Sequence, residues 1–315
     1  MKISILFATH NGAKTLPYML ESLSEINCPY EWELLAVNNE SSDETEAILQ
    51  SYIGELPIRI LNQPKRGKNR SLNLGLKEAT GDLIVLTDDD VVPNEDWIVR
   101  LVDCAEANPK FDIFAGRIGP LWPCQPDPVI IRNVPLGTTY AISPTTLNEG
   151  PINPGNVWGP NMAIRRRVFD AGHTFNEHVG PDKGRYIMGS ETEFTERLHV
   201  AGYKCWFCDA AVVKHIIREN QMTQSWVIDR AFRSGRGERV RAKDDEFAVP
   251  SFIGIPRWRI RVLLRSYYLS AFHLLTGDTD ARFAARWEIS FLHGYINESL
   301  KVKLRGEQSL KADGK

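Results

Sequence analysis

The chain has 315 residues, 43% of them hydrophobic and 25% charged, with a formal net charge of −2 at pH 7. This is the composition of an ordinary globular protein with a sizeable core, and its balanced charge gives no global argument for binding nucleic acid or a membrane. No run approaches the roughly 18 apolar residues of a membrane-spanning helix. The apolar run in the N-terminal sequence MKISILFATHNG is too short for a signal peptide, so we expect a cytoplasmic protein.

The five cysteines form a sparse, odd-numbered set. Such a set is typical of a reducing compartment, and we expect no disulfide framework. Cys205 and Cys208 have the spacing of a zinc-binding pair, but the sequence has no second pair of that kind. We therefore interpret them as thiols in an apolar strand.

Predicted strands and helices alternate over the first 110 residues. Short apolar runs predict the strands. After each of the first three strands, capping residues or a helical spacing of apolar residues predicts a helix. The predicted strands are residues 3–9, 32–37, 58–61 and 83–86, and helices begin near Thr15, near Ser41 or Ser42, and at Asn69. This alternation is typical of a parallel sheet covered by helices, in which ligands bind beyond the carboxyl ends of the strands.

The pattern changes further along the chain. Residues 120–160 contain nine of the 18 prolines and few helix signals. A loop of this length inside a compact domain is usually functional or mobile. A helix is then predicted at residues 191–201, a strand at 205–213, and helical structure from about residue 250.

Three consecutive aspartates directly follow the fourth predicted strand. In extended backbone Asp88 and Asp90 point to one side and Asp89 to the other. A hard divalent ion such as Mg²⁺ or Mn²⁺ takes one or two carboxylates and completes its shell with water and substrate phosphate. Asp88 and Asp90 are therefore candidate metal ligands, and Asp89 is a candidate contact to a ribose or a phosphate. The alternative is a solvated acidic turn.

Five segments in this order resemble the inverting family 2 glycosyltransferases. They read ISILFATHNGAKTL, LLAVNNESSDET, NRSLNLGLKEATGDLIVLTDDD, GPNMAIRRRVF, and FNEHVG with GSETEFTERLHVAGY. The resemblance implies the GT-A fold, an α/β architecture with a Rossmann-like, mostly parallel sheet flanked by helices. It implies a catalytic domain over residues 1–245, divided into a nucleotide-binding half (1–115) and an acceptor-side half (116–245). Residues 246–315 would then form a C-terminal helical extension.

The resemblance also implies a nucleotide-sugar site across the strand ends. Thr9 and Asn11 match positions that line the nucleotide pocket. Asn38 and Asn39 stand where the family usually has an acidic residue for the ribose or base, and we expect Asn39 to bind the nucleotide. Asn161, in GPNMA, matches a position near the acceptor cleft.

The metal site implied by the resemblance consists of Asp90, Asp88 and a histidine. His215 follows the strand predicted from residue 205, where family members often have a third metal ligand. A structural histidine is the alternative. The expected cofactor is Mn²⁺ or Mg²⁺, which would bridge the diphosphate of the donor.

Basic residues provide candidate phosphate contacts. Arg66, Lys68 and Arg70 precede or open the third helix, and we expect Lys68 or Arg70 to meet the phosphates. Arg236 belongs to a series of arginines repeated every three residues beside glycines, and such a segment could close over a diphosphate. A solvated basic surface is the alternative in both cases.

Transfer with inversion requires a general base that takes the proton of the acceptor hydroxyl. The family places this carboxylate at the start of a helix, commonly as Glu-Asp. Here Glu191 aligns with the Asp and Ser190 replaces the Glu, so Glu191 is the expected base. Glu193 is the alternative base, and an acid that stabilises the helix dipole is the alternative role.

The stretch 257–275 mixes arginines with apolar and aromatic residues. Such a stretch suits an anionic membrane surface, and many acceptors of these enzymes are lipid-linked glycans. We therefore expect peripheral contact with the inner face of the cell membrane. A helix packed on the catalytic domain, or on the partner of a homodimer, is the alternative.

The expected function is a metal-dependent inverting glycosyltransferase of the hexosyltransferase type. It would move a sugar from a nucleoside-diphosphate sugar, with UDP the expected nucleotide, to a hydroxyl of a glycan or lipid-linked acceptor in cell-surface polysaccharide or glycoconjugate synthesis. A non-catalytic nucleotide-sugar-binding subunit or sensor is an alternative. A nucleotidyltransferase fits less well, because ATHNGAKT has a single glycine where that class needs a glycine-rich phosphate loop.

Overall fold

The computed structural model describes residues 1–181, 186–242, 249–252 and 254–312, with side chains described as far as Lys301. The chain forms two compact units. The first unit comprises Met1–Pro123, Tyr140–Tyr186 and Ser190–Ile217, and the second comprises Cys124–Thr139, Ile187–Gly189 and Arg218–Lys315. No helix of the described residues is long and apolar enough to cross a membrane.

A mixed sheet forms the centre of the first unit. Its strands are β1 (Ile3–Thr9), β2 (Trp32–Asn38), β3 (Ile58–Asn62), β4 (Leu83–Leu86), β5 (Val91–Pro93), β6 (Ile113–Leu121), β7 (Gly150–Pro151), β8 (Met162–Arg165) and β9 (Cys205–Ile216). Within the described residues the strand order is β3-β2-β1-β4-β8-β6-β9-β5, with β7 paired to β9.

The first four strands confirm the predicted parallel arrangement. β1 pairs in parallel with β2 and β4, and β2 pairs in parallel with β3. Strands β1 and β4 are apolar along their length because both faces of the sheet are covered. Ile5 and Phe7 pack into one buried cluster and Leu6 into the other, as the alternation of side chains along a strand requires.

The remaining strand pairings place the end of β9 beside the three aspartates that follow β4. β8 pairs antiparallel with β4 and β6, and β6 runs parallel to β9. The short strand β5 begins directly after the three aspartates and pairs antiparallel with β9, with Val91 opposite His215. This register brings the end of β9 beside Asp90, although no sequence pattern indicates a strand of three residues there.

The described helices complete both units. They are α1 (Leu16–Ser24), α2 (Thr45–Ser51), α3 (Lys68–Glu78), α4 (Trp97–Ala107), α5 (Pro128–Asn133), α6 (Leu136–Tyr140), α7 (Arg166–Asp170), α8 (Ser190–Val200), α9 (Gln224–Arg241), α10 (Arg257–Thr276) and α11 (Thr279–Ala312). Two short strands, β10 (Ser251–Phe252) and β11 (Ile255–Pro256), form a separate hairpin in the second unit.

The second unit is held together by close helix packing. A Cβ on Gly235 of α9 would overlap the carbonyl oxygen of Phe291, and one on Gly294 of α11 would overlap that of Phe232. Glycines at both positions let the two backbones approach, which places α9 with the C-terminal helices. The sequence-based division at residue 245 put α9 in the catalytic domain instead, and residues 243–245 lie outside the described part of the chain.

The cysteines correct one expectation. Cys104 of α4 and Cys208 of β9 form a disulfide bond, whereas the sequence composition led us to expect none. Because α4 packs against β9, it brings together two cysteines 104 residues apart. Cys205 is buried and free, as interpreted from the sequence.

Candidate active site

Polar side chains meet where β1, β2 and β4 end at one edge of the sheet. The Thr9 hydroxyl, at the end of β1, donates to Asp89 Oδ2 at 2.5 Å. A Cβ on Gly12 would overlap both the Thr9 hydroxyl and the Asp89 carboxylate, and the Gly12 N–H donates to Thr45 Oγ1 at 2.9 Å. The turn after β1 therefore needs glycine to pass close to these two side chains.

A cavity of about 320 Å³ opens at this edge of the sheet. That volume is at the lower end of the range typical of small-molecule sites. Its lining residues are Ala8, Thr9, His10, Asn39, Arg66, Lys68, Asp89, Pro181 and Tyr186. Four of them, Thr9, Asn39, Lys68 and Asp89, are residues that the sequence analysis selected.

Besides Ala8, which is part of β1, three lining residues were missed from the sequence. His10 directly follows β1 and could have been found from that position; its Nδ1–H donates to the carbonyl oxygen of Asn39 at 2.8 Å. Pro181 and Tyr186 come from a distant segment without any predicted element, so nothing local pointed to them. Tyr186 and His10 give the cavity two aromatic rings.

Asn39 organises the loop that carries the basic residues. Its amide nitrogen donates to the carbonyl oxygens of Gln63 and Lys65 at 3.0 and 2.9 Å. Its amide oxygen accepts from the N–H of Gly67 at 2.8 Å. The side chain lines the cavity, but its polar atoms hold the backbone just before α3. The amide at this position therefore supports the placement of Lys68.

Lys68 bridges two carboxylates from distant parts of the chain. Its ammonium lies 2.6 Å from Asp88 Oδ1 and 2.7 Å from Glu191 Oε1. The three side chains are only 20%, 22% and 17% exposed, so the charges are weakly screened. Burial opposes the charged ammonium, but the two carboxylates outweigh it and raise the pKa of Lys68 well above its ordinary value.

The two carboxylates differ in their surroundings. Burial raises the pKa of Asp88, and the negative charges of Glu191 and Asp90 add to this effect against the attraction of Lys68. Burial also opposes ionisation of Glu191, but Lys68 and a hydrogen bond from the Ser190 hydroxyl at 2.7 Å lower its pKa overall. Glu191 is therefore held ionised, as a group that accepts a proton must be.

His215 faces Asp90 on the other side of the triple aspartate. Its Nδ1–H donates to the carbonyl oxygen of Tyr140 at 2.7 Å, and its Nε2 lies 3.3 Å from Asp90 Oδ1. Burial disfavours the imidazolium, but the charge of Asp90 and these hydrogen bonds outweigh burial and raise the pKa of His215. A histidine fixed through Nδ1 presents Nε2 to a partner, which is the usual arrangement of a metal-binding imidazole.

The residues present fit a divalent ion held partly by substrate. Among the described residues, no three acidic, histidine or cysteine side chains converge on one point. Asp90 and His215 lie 3.3 Å apart and are the residues that would hold the ion, and Asp88 is adjacent but paired with Lys68. Mg²⁺ and Mn²⁺ sites of this kind take few protein ligands and are completed by phosphate and water.

The two candidate bases, Glu191 and Glu193, have different partners. Glu191 opens α8 and is directed to Lys68, and a Cβ on Gly159 would overlap its carboxylate, so Gly159 gives it room. Glu193 instead pairs with Arg197 one turn later, at 3.0 Å. The geometry favours Glu191 as the group at the site.

Two further candidates near the site contact other protein groups. Asn11 adopts a left-handed backbone (φ 54°), and its amide oxygen accepts from the N–H of Ser42 at 2.8 Å. Arg70 pairs with Glu177 at 3.0 Å and donates to the carbonyl oxygen of Arg66. Neither lines the cavity, so Lys68 and Arg66 are the basic residues best placed for phosphate.

The other two candidates lie in packed regions. Asn161 is fully buried, where it accepts from Trp97 Nε1 at 2.9 Å and donates to the carbonyl oxygens of Arg117 and Ala211. Arg236 lies in the second unit, where its guanidinium pairs with the buried Glu298 at 3.0 Å. Both side chains therefore make structural contacts inside their own units, and neither lines the cavity.

Comparison with known proteins gives concordant results. A family model described as "Glycosyl transferase family 2" matches residues 4–172. The "Glucosyl-dolichyl phosphate glucuronosyltransferase" of Haloferax volcanii is 24% identical over 258 residues, which cover 79% of this chain and 82% of that protein.

Solved structures of low sequence identity share the fold. The mannosyltransferase PcManGT of Pyrobaculum calidifontis, in complex with GDP-Man and Mn²⁺, superposes with a TM-score of 0.62 at 17% identity, over 94% of this chain and 86% of that one. S. aureus TarS 1-349 in complex with UDP-GlcNAc gives a TM-score of 0.56 at 16% identity, over 95% and 92% of the two chains.

Proposed function

Because the chain belongs to glycosyl transferase family 2 and is a glycosyltransferase of the GT-A fold, we propose that it moves a sugar from a nucleoside-diphosphate sugar to an acceptor hydroxyl with inversion. The observation that carries the proposal is the meeting of Asp88, Lys68 and Glu191 beside a ligand-sized cavity. This set combines a metal-binding carboxylate, a phosphate-binding cation and a base. UDP is the nucleotide we expect.

The donor would lie in the cavity at the strand ends. Arg66 and Lys68 supply positive charge for the diphosphate, since charge-assisted contacts to phosphate are among the strongest hydrogen bonds in proteins. Asp89, fixed by the Thr9 hydroxyl, faces the cavity as a hydrogen-bond acceptor for a ribose hydroxyl. His10 and Tyr186 would cover the flat face of the base.

A divalent metal would complete the donor site. Asp90 and His215 would hold it, joined by Asp88 after that carboxylate leaves Lys68. The ion supplies positive charge that offsets the charge on the departing diphosphate. The related structure of PcManGT contains Mn²⁺ together with GDP-Man, which favours Mn²⁺ as the first metal to test.

Glu191 would act as the general base. Its carboxylate takes the proton of the acceptor hydroxyl while that oxygen bonds to the anomeric carbon and the bond from this carbon to the diphosphate oxygen breaks. The lowered pKa keeps Glu191 ionised before the reaction. We propose that Lys68 turns from Glu191 to the diphosphate when the donor binds, because it contacts the carboxylate and lines the cavity at once.

The acceptor we propose is a glycan or a lipid-linked sugar used in cell-surface polysaccharide or glycoconjugate synthesis. The relative from Haloferax volcanii has a dolichyl phosphate in its name, which favours a lipid-linked acceptor here. A lipid-linked acceptor would bring the enzyme to the inner face of the membrane, with residues 257–275 as the segment of contact.

The test is a pair of matched substitutions on α8. Glu191→Gln keeps the shape of the side chain but removes the base, so turnover of UDP-sugars with polyprenyl-phosphate-linked acceptor sugars should fall by about 10² to 10⁴ while nucleotide binding persists. Glu193→Gln makes the same change two residues along, at a side chain paired with Arg197, and should stay within a few-fold of the unmodified enzyme. Full turnover in Glu191→Gln would refute the assignment.

A further inference from the structure

Helix α10 presents a broad apolar face to solvent. Leu264, Tyr268 and Leu275 are 64%, 66% and 87% exposed, and Tyr267, Phe272 and Leu274 are exposed as well. Leu264, Tyr268, Phe272 and Leu275 are four, four and three residues apart, which places them along one side of the helix. A contiguous exposed face of large apolar side chains usually marks an interaction surface.

The same face carries positive charge, and the helix itself contributes no acid to it. Arg257, Arg261 and Arg265 are exposed, and the helix sequence RWRIRVLLRSYYLSAFHLLT contains no Asp or Glu. The arginines occupy the first half of the helix, and the exposed leucines and aromatic residues continue into the second half. The partner that matches this surface is apolar and anionic.

The opposite side of α10 is already occupied within its own unit. Arg259 is 5% exposed, and its guanidinium lies 4.0 Å from the ring centre of Tyr295 and 3.4 Å from Glu238. Ser266 is also buried. The helix therefore packs on α11 through this side, and the arginine and leucine face is left for another partner.

We propose that this face of α10 docks on an anionic lipid surface. The aromatic and leucine side chains would enter the boundary between headgroups and acyl chains, and the three arginines would reach the lipid phosphates along their apolar stems. A second copy of the chain fits less well, because a two-fold interface would set this basic face against itself. The docking rests on the membrane contact of the proposed function and adds which side chains make it and that the lipid is anionic, and it needs neither donor nor metal.

Vesicle co-sedimentation tests the proposal. The full chain should bind phosphatidylcholine vesicles containing phosphatidylglycerol, bind pure phosphatidylcholine weakly, and lose binding as salt is raised. Each exposed arginine should contribute roughly fivefold at low salt, so R257Q/R261Q/R265Q should weaken binding about a hundredfold. K14Q/K77Q/K110Q removes the same charge from exposed positions of the first unit and should bind like the unmodified chain.

A second variant tests the apolar part. L264S/Y268S/L275S changes only exposed side chains, so its circular dichroism should match the original while vesicle binding is lost. Failure of the unmodified chain to bind anionic vesicles, or equal loss in the lysine control, would overturn the proposal. So would sedimentation showing a dimer that these substitutions dissociate. Glu191→Gln should bind vesicles normally, which separates this test from that of the reaction.

Discussion

Replacing Lys68 by methionine should have opposite effects on metal and nucleotide. The substitution keeps an unbranched side chain but removes the ammonium that lies 2.6 Å from Asp88 and 2.7 Å from Glu191. If Lys68 competes with the metal for Asp88, a metal that binds without nucleotide must first break the Lys68–Asp88 ion pair. If Lys68 also binds the diphosphate, the same substitution must weaken nucleotide binding.

The structure sets the size of both effects. Fully buried ion pairs cost about 3–5 kcal/mol when one partner is removed, and exposed pairs about 0–1 kcal/mol. The Lys68 and Asp88 side chains are 20% and 22% exposed, so an intermediate cost of about 1.5 kcal/mol is reasonable. Mn²⁺ affinity without nucleotide should therefore rise about tenfold. Loss of a charge-assisted phosphate contact should lower UDP affinity with Mn²⁺ by about tenfold to a hundredfold.

The assay combines two titrations. Electron paramagnetic resonance measures free Mn²⁺ in titrations without nucleotide, and calorimetry measures UDP binding at saturating Mn²⁺. Lys65→Met is the control, because Lys65 is exposed on the same loop and does not line the cavity. Weaker binding of both ligands in Lys68→Met would indicate a purely structural lysine and refute the exchange. Unchanged binding of both would refute any role at the site.

Three further predictions concern cysteine reactivity, the pH dependence of unfolding, and helix packing. Burial, with the charge of Asp112, raises the pKa of Cys205 from its ordinary 9.0 to about 12. Iodoacetamide at pH 8 should therefore label the exposed Cys124 and leave Cys205 unmodified until the protein unfolds. Because the folded state holds this proton more tightly than the unfolded state, the free energy of unfolding should also fall as pH rises from about 9 towards 12. A Cys205→Ala variant lacks the thiol, so its free energy of unfolding should fall less over the same pH range. Gly235→Ala should lower the free energy of unfolding by about 1–3 kcal/mol, measured by urea denaturation, through overlap with a backbone carbonyl. Gly119→Ala, whose new Cβ meets only an ordinary contact at 3.9 Å, should change it much less, and equal losses would contradict the packing argument.

The parallel half of the sheet was predictable because its signal is local. Buried runs such as those of β1 and β4 face covered surfaces on both sides of the sheet, and polar residues stand at the end of β1 and just after β4. Asp88, Asp89 and Asp90 could be selected for this reason. The family resemblance then added Thr9 and Glu191. No local pattern distinguishes Glu191 from an acid that stabilises a helix start.

The contacts that define the site were not predictable, because they join distant segments. Lys68 and Glu191 are far apart in sequence and meet only in the folded unit. The pairing of β5 with β9 aligns His215 with Asp90, yet a strand of three residues has no periodicity to read. The Asn39 amide holds its loop through backbone atoms, and a sequence pattern does not show which backbone atoms a loop presents.

The most direct test of the proposed donor site is calorimetric binding of UDP, GDP and dTDP, each with Mn²⁺ and again with EDTA. We expect one nucleotide, UDP, to bind in the presence of Mn²⁺ and to lose its affinity in EDTA. Asp90→Ala should abolish that metal dependence, because Asp90, 3.3 Å from His215, is a proposed ligand of the metal. Binding of no nucleotide under either condition, or binding that EDTA and Asp90→Ala leave unchanged, would contradict the metal-dependent donor site at these strand ends.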